Sequence, residues 1–229
     1  MELQGKRIAV TGAFGALGQA MVHAALEAGA RVAAIDHAPV APASIDGAHA
    51  IGSVDLADAV AARDAIDAAV QALGGLDGLV NIAGTFRWET LADGSVDTWD
   101  LLYRINLRTA LAASKAALAH LRANGSGRIV NIGAGAAAKA GAGMGAYAAS
   151  KAGVARLTEA LAEELKDDGI TVNAVLPSII DTAANRADMP KADFSRWVQP
   201  AQLAQVIVFL LSDRASAVTG ALLPVSGRV

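Results

Sequence analysis

The sequence predicts an α/β fold, a three-layer, doubly wound parallel sheet of about seven strands in one domain spanning residues 1–229. Three observations lead there. Apolar runs of strand length, such as RIAVT at 7–11 and RVAAI at 31–35, are continuous rather than alternating, as in strands covered on both faces. These runs alternate with helical patterns along the chain, which builds strand–helix–strand units. No linker, repeat or low-complexity tail breaks the sequence into parts.

Residues 7–11 form the first strand, and GAFGALG follows at 12–18. From Ala16 to Ala28 apolar residues recur at three or four until Gly29 stops the helix. Residues 31–35 are the second strand, ending at Asp36. A proline-containing loop covers 39–46, and a third strand at 49–52 ends near Asp55. An alanine-rich amphipathic helix at 57–73 is closed by Gly74 and Gly75. Strand four at 76–82 leads into Ala83 and Gly84. Ser95 or Asp97 then caps a long helix reaching Ala123, with Asn106 inside it. The fifth strand is 128–132, a helix carrying Tyr147 runs to Lys166, and the sixth strand, 170–176, stops at Pro177. Residues 183–200 read as a polar, irregular loop, long enough to serve as a substrate segment. A helix at 201–211 and a strand at 221–225 complete the pattern.

Composition narrows the function. The chain is 54% hydrophobic and 18% charged, which suits a well-filled core rather than disorder. A net charge of −3 argues against a nucleic-acid partner. The absence of cysteine excludes disulfides, thiolate metal sites and a cysteine nucleophile. His23, His37, His49 and His120 lack ligand spacing, so no metal is expected. The opening MELQGKRIAV enters a strand at once and leaves no room for a signal peptide; no uncharged apolar run reaches the roughly 18 residues that span a bilayer. A cytoplasmic protein with no membrane partner is expected.

Gly12, Gly15 and Gly18 lie between strand one and helix one, where glycines let the backbone approach a pyrophosphate and the helix N-terminus faces it. Alone, such a triplet is equally an ordinary tight turn. Here Asp36 ends strand two, 18 residues beyond Gly18, close to the roughly 20-residue spacing of a ribose-binding carboxylate. Asp36 would repel a 2′-phosphate and only His37 follows it, so NAD(H) is expected over NADP(H). Tyr147 and Lys151 share a helical face, where an ammonium lowers a phenol pKa toward proton transfer.

With these residues in view, the chain resembles the short-chain dehydrogenase/reductase family over nearly its whole length, which implies a Rossmann-type fold and a nicotinamide cofactor. The glycine motif is Thr11-Gly12-Ala13-Phe14-Gly15-Ala16-Leu17-Gly18. Asp55 with Leu56 matches the adenine-side pair, and Asn81-Ile82-Ala83-Gly84 the motif after strand four. Asn106 matches the asparagine of the proton relay, and Tyr147 with Lys151 the catalytic pair. Asn173-Ala174-Val175-Leu176-Pro177 matches the strand-six element, with Ser178 in place of its glycine; Ile180 and Thr182 fall in the nicotinamide-side segment. Family members of this kind often pair through their two long helices, implying a homodimer or homotetramer.

One departure stands out. The family's catalytic serine lies 13 residues before the tyrosine, where this chain has Ala134 between Gly133 and Gly135. Losing one oxyanion donor typically costs about 100- to 1000-fold in rate. A narrower resemblance to quinonoid dihydropteridine reductases, in residues 133–147 and 176–197, implies an activated substrate that needs no such donor. A general ketone, alcohol or 3-oxoacyl enzyme, with Ser178 or Thr85 as substitute donor, is the alternative. A non-catalytic NAD-binding protein is the alternative of another class. Trp88 and Trp197 are candidate substrate contacts, Asp193 and Arg196 weaker ones, and Trp99 a packing residue. Glu163, Glu164, Asp167 and Asp168 read as a solvated helix end.

Overall fold

The computed structural model describes residues 1–229. Strands β1 (Arg7–Thr11), β2 (Arg31–Ile35), β3 (His49–Ile51), β4 (Gly78–Asn81), β5 (Gly127–Ile132), β6 (Ile170–Pro177) and β7 (Leu222–Val225) form one sheet in the order β3-β2-β1-β4-β5-β6-β7. Every neighbouring pair is parallel. The predicted fold and all seven strands are therefore present. Adjacent strand residues turn to opposite faces, so each buried strand serves two cores. Val10, Val80, Val130 and Val175 pack with Met21 and Ile207 on one side. Ala9, Leu79, Ile129 and Val172 pack with Ile66, Leu121 and Leu161 on the other.

The helices are α1 (Ala16–Glu27), α2 (Ala59–Leu73), α3 (Val96–Leu102), α4 (Thr109–Ala123), α5 (Gly145–Leu165), α6 (Ala183–Asp188) and α7 (Pro200–Leu211). Helix α2 starts two residues later than predicted because Asp58 caps it, accepting from the amides of Val60 (2.8 Å) and Ala61 (2.9 Å). The long helix expected to reach Ala123 is divided: a π-helical segment, Tyr103–Arg108, joins α3 to α4 and holds Asn106. Such wide turns interrupt α-helices most often at functional positions.

The segment 183–200 also differs from expectation. It contains α6 and a 3₁₀ turn at Phe194–Arg196 rather than continuous loop. Thr182 caps α6 by accepting from the Asn185 amide at 3.2 Å, and Asp193 caps the turn by accepting from the Ser195 amide at 3.1 Å. At the base of the segment, Asp181 accepts from Arg186 Nε (2.5 Å) and Nη2 (2.7 Å) and from Gln199 Nε2 (2.8 Å). Those three contacts hold its carboxyl down at about 2. No helix is long and apolar enough to cross a membrane.

The strand order reverses between β1 and β4, with β2 and β3 on one side and β5 to β7 on the other. Ligands of such sheets bind beyond the carboxyl ends of the strands at this reversal. Two adjoining cavities lie there.

Candidate active site

The first cavity, about 300 Å³, is bounded by Gly12, Asp36, Asp55, Leu56, Ala83 and Gly84 among others. The glycine turn behind it is sterically obligatory. Gly12 has φ 65°, and a Cβ there would lie 2.7 Å from the Ala83 nitrogen. A Cβ on Gly18 would sit 2.1 Å from the Gly12 oxygen. Gly15 caps α1 without a side chain, leaving first-turn amides free for an anion. Phe14 and Leu17 are buried in the core, and the Phe14 amide is taken by Asp36, so of the two only Leu17 has a main-chain amide free for a ligand. Gly15 and Ala16 are exposed at the turn, which also lies outside the cavity wall formed by Gly12.

Asp36 already works within the protein. Its Oδ2 accepts from the Phe14 amide at 2.9 Å and its Oδ1 from the Ala38 amide at 3.0 Å. Each carboxylate oxygen keeps a second lone pair for a ribose hydroxyl. Asp55 accepts from the Ala57 amide at 3.0 Å and forms an ion pair with Arg104, a cavity residue that nothing in the sequence singled out. The observed carboxylates and the close glycine backbone fit the adenosine and pyrophosphate parts of a nicotinamide dinucleotide.

Asn81 requires a correction. It was expected among the cofactor contacts, yet it lines neither cavity. Its amide donates to Ser114 Oγ (3.0 Å) and Asn131 Oδ1 (2.8 Å), while Asn131 donates to Thr158 Oγ1 (2.9 Å). This buried chain ties β4 and β5 to α4 and α5. Thr182 is likewise spent as the α6 cap and lines neither cavity.

The second cavity, about 580 Å³, brings together Tyr147, Lys151, Ala134, Pro177 and Ile180 from the expected set. Lys151 is buried and its Nζ donates to the Ile132 carbonyl at 2.7 Å. Burial draws its pKa down to about 8. Burial pushes the Tyr147 phenol up to about 12, the reverse of the expected lowering by the ammonium. Desolvation of the phenolate is the cause. At neutral pH the phenol therefore keeps its proton and stands ready as an acid.

Gly84 joins the two cavities: a Cβ there would lie 3.4 Å from Lys151 Nζ and 3.1 Å from Asn106 Oδ1. Asn106 itself is only 1% exposed. Its Oδ1 accepts from the Thr85 amide at 2.7 Å, and its Nδ2 donates to Ser150 Oγ at 2.9 Å. Both ends of the side chain are thus held by protein, which leaves Asn106 a positioning role. Asn106 holds the loop after β4 against the helix of Tyr147.

Ala134 lies in the cavity wall, so the missing hydroxyl is missing where a substrate would sit. Ser178 also lines the cavity, but its hydroxyl donates to the Ser226 carbonyl at 2.8 Å. Thr85 does not line it. Trp88 does, whereas Trp197 is buried against Phe194, and Asp193 and Arg196 stay outside. Phe86 meets the Tyr147 ring edge-on at 4.9 Å. Met144, from the segment entering α5, and Asn185 and Met189, one helical turn apart on α6 and its C-terminal cap, also line the wall. No group of three or more metal-binding side chains gathers anywhere in the chain.

A tyrosine acid, a buried lysine beside it, and a glycine-turn crevice opening next to both make an arrangement for reversible hydride chemistry. The short chain dehydrogenase family profile matches residues 6–193. The chain belongs to the short-chain dehydrogenase family. It is 35% identical over 246 residues to 2-(S)-hydroxypropyl-CoM dehydrogenase 3 of Xanthobacter autotrophicus, covering 98% of this chain and 96% of the relative. It is 37% identical over 249 residues to a 3-oxoacyl-(acyl-carrier-protein) reductase of Pseudomonas aeruginosa, covering 99% and 98%. Carveol dehydrogenase from Mycobacterium avium, in complex with NAD, superposes with a TM-score of 0.88 at 28% identity over 99% of this chain and 98% of that one. A short-chain dehydrogenase from Burkholderia cenocepacia, in complex with NADP, gives 0.86 at 34% identity over 99% and 98%. Oxidoreductase chemistry with a nicotinamide cofactor follows from this membership; such a cofactor supplies or accepts hydride.

Proposed function

We infer that this short-chain dehydrogenase is an NADH-dependent reductase acting on an electron-poor C=N or C=O group, with a quinonoid dihydropteridine as the narrower candidate. The observation that carries the reading is the wall at Ala134, which offers no hydroxyl to a substrate oxygen while Ser178 is committed to Ser226. An unactivated ketone needs such a donor more than an electron-deficient acceptor does. Tyr147 supplies the proton, Lys151 holds the cofactor ribose beside it, and Asn106 positions both. Asp36, facing the adenosine side, favours NAD(H) over NADP(H) by repelling a 2′-phosphate. The pteridine reading draws its support only from residues 133–147 and 176–197 of the sequence.

A general ketone, alcohol or 3-oxoacyl enzyme is the second reading, favoured by the names of the relatives at 35% and 37% identity. A non-catalytic NAD-binding protein is a third: a relative from Xanthobacter autotrophicus, 35% identical over 226 residues, is named an inactive hydroxypropyl-CoM dehydrogenase. NADH oxidation with quinonoid dihydropterin and a ketone panel, for wild type and Tyr147→Phe, separates the three. Pterin turnover that disappears in the variant supports the first reading. Faster turnover of simple ketones supports the second, and NADH binding without turnover the third. We also infer a cytoplasmic homodimer or homotetramer; exposed Leu101, Tyr103 and Leu111 on the long helical segment suit a subunit contact, and light scattering tests it.

A further inference from the structure

The substrate cavity has an aromatic and thioether wall. Phe86, Trp88, Met144 and Met189 line it together with Ile179 and Ile180. Lys151 is the only charged side chain in the lining, and it is buried with its ammonium on the Ile132 carbonyl. An anionic substrate would be desolvated here without a cation to receive its charge.

Trp88 is the unusual member. It is 61% exposed, so burial does not account for where it sits. It is nevertheless fixed at two points. Its indole Nε1 donates to the Ala142 carbonyl at 3.0 Å, and the next residue, Glu89, donates its amide to the Gly143 carbonyl at 2.9 Å. The indole lies so close to Gly143 that a Cβ there would fall 2.2 Å from Trp88 Cε2, and Gly143 has φ 73°. The loop after β4 is thereby strapped to the segment entering α5, and an exposed indole face is held ready in the cavity wall.

Resting on the reductase reading above, we propose that the cavity takes a neutral, flat, bicyclic α-dicarbonyl compound, and that Trp88, seated on Gly143, is the residue that selects it. The probe is isatin. Hydride from NADH adds to C3, the C3=O π pair moves onto oxygen, and that oxygen takes the Tyr147 proton. The dione is reduced to a secondary alcohol, NADH is oxidised to NAD⁺, and solvent returns the proton to the phenolate.

Butane-2,3-dione, equally activated but without a ring, and isatin-5-sulfonate, the same ring with a charge, are the controls. Isatin should exceed each in kcat/KM by about tenfold, the scale of one aromatic stacking contact or one unpaired charge. In Trp88→Leu the KM for isatin should rise about tenfold, several times more than that for butane-2,3-dione. Gly143→Ala, which displaces the indole, should behave alike, and Trp88→Phe should restore most of the isatin affinity. Equal kcat/KM for the three diones, or a wild-type isatin KM in both Trp88→Leu and Gly143→Ala, overturns the proposal while leaving the reductase reading intact. If no dione is turned over although quinonoid dihydropterin is, the proposal is overturned and the reductase reading stands; if neither is turned over, the reductase reading fails instead. Calorimetric titration of the NADH-loaded protein then decides the cavity's preference: tighter binding of isatin than of its sulfonate supports it, and equal or absent binding overturns it.

Discussion

Giving Ala134 a hydroxyl bears hardest on the proposed chemistry. Ala134 is 5% exposed, in extended backbone with φ −159° and ψ 152°, and lines the cavity that holds Tyr147. A serine fits that backbone, and its Oγ would enter the cavity rather than the core. An oxyanion donor in an evolved site is worth about 100- to 1000-fold; one added without supporting partners should recover about 10- to 100-fold in kcat/KM on an unactivated ketone. A dione or quinonoid substrate, already electron-poor, should gain less than about threefold. At a position only 5% exposed a hydroxyl without a protein partner should cost about 1–3 kcal/mol of stability. Steady-state NADH oxidation with acetophenone and isatin, for wild type and Ala134→Ser, measures the contrast. A ketone rate unchanged within about twofold, in a variant that still reduces isatin, refutes the argument that the absent donor sets the substrate class.

Three further outcomes follow from the geometry. NADPH should show a KM at least about tenfold above that of NADH, and Asp36→Ala should narrow the gap; a lower KM for NADPH in wild type would overturn the assignment. Lys151→Met should abolish turnover yet raise the melting temperature at pH 7. The folded pKa of Lys151 is lowered from 10.5 to about 8, so the unfolded chain binds more protons between those values and wild-type stability rises with pH across that window. The variant's advantage, about 1–2 kcal/mol after losing the bond to Ile132, should shrink as pH approaches 10; a variant less stable than wild type at pH 7 would sink this account. Asp181→Asn loosens the base of the segment carrying Asn185 and Met189, so KM should rise about tenfold with kcat nearly constant; equal loss in kcat would mean the segment does more than hold substrate.

What could be read from the sequence and what could not divides along a physical line. The glycine turn, Asp36, Tyr147 and Lys151 were legible because each satisfies a local demand: no Cβ fits at Gly18, a strand end presents Asp36, and one helical turn aligns the catalytic pair. The seven strands were legible because burial on both faces leaves continuous apolar runs. Asn81 and Asn106 were located correctly, but the partners that hold their side chains were not legible. Whether a buried amide faces a ligand or another amide depends on partners far along the chain, here Asn131 and Ser114 for Asn81, and Ser150 and Thr85 for Asn106.

The phenol of Tyr147 carries the same lesson into chemistry. Spacing alone suggested that Lys151 would lower its pKa, whereas burial raises it to about 12. The ammonium spends its hydrogen bond on Ile132, and its own pKa falls to about 8, so it too is penalised by the dry site. A site that disfavours both the phenolate and the ammonium is set to hold a neutral phenol, and a neutral phenol gives a proton more readily than it takes one. Reduction therefore needs no prior ionisation of Tyr147, while oxidation of an alcohol does. The rise in the phenol's pKa thus comes from desolvation rather than from the lysine beside the ring.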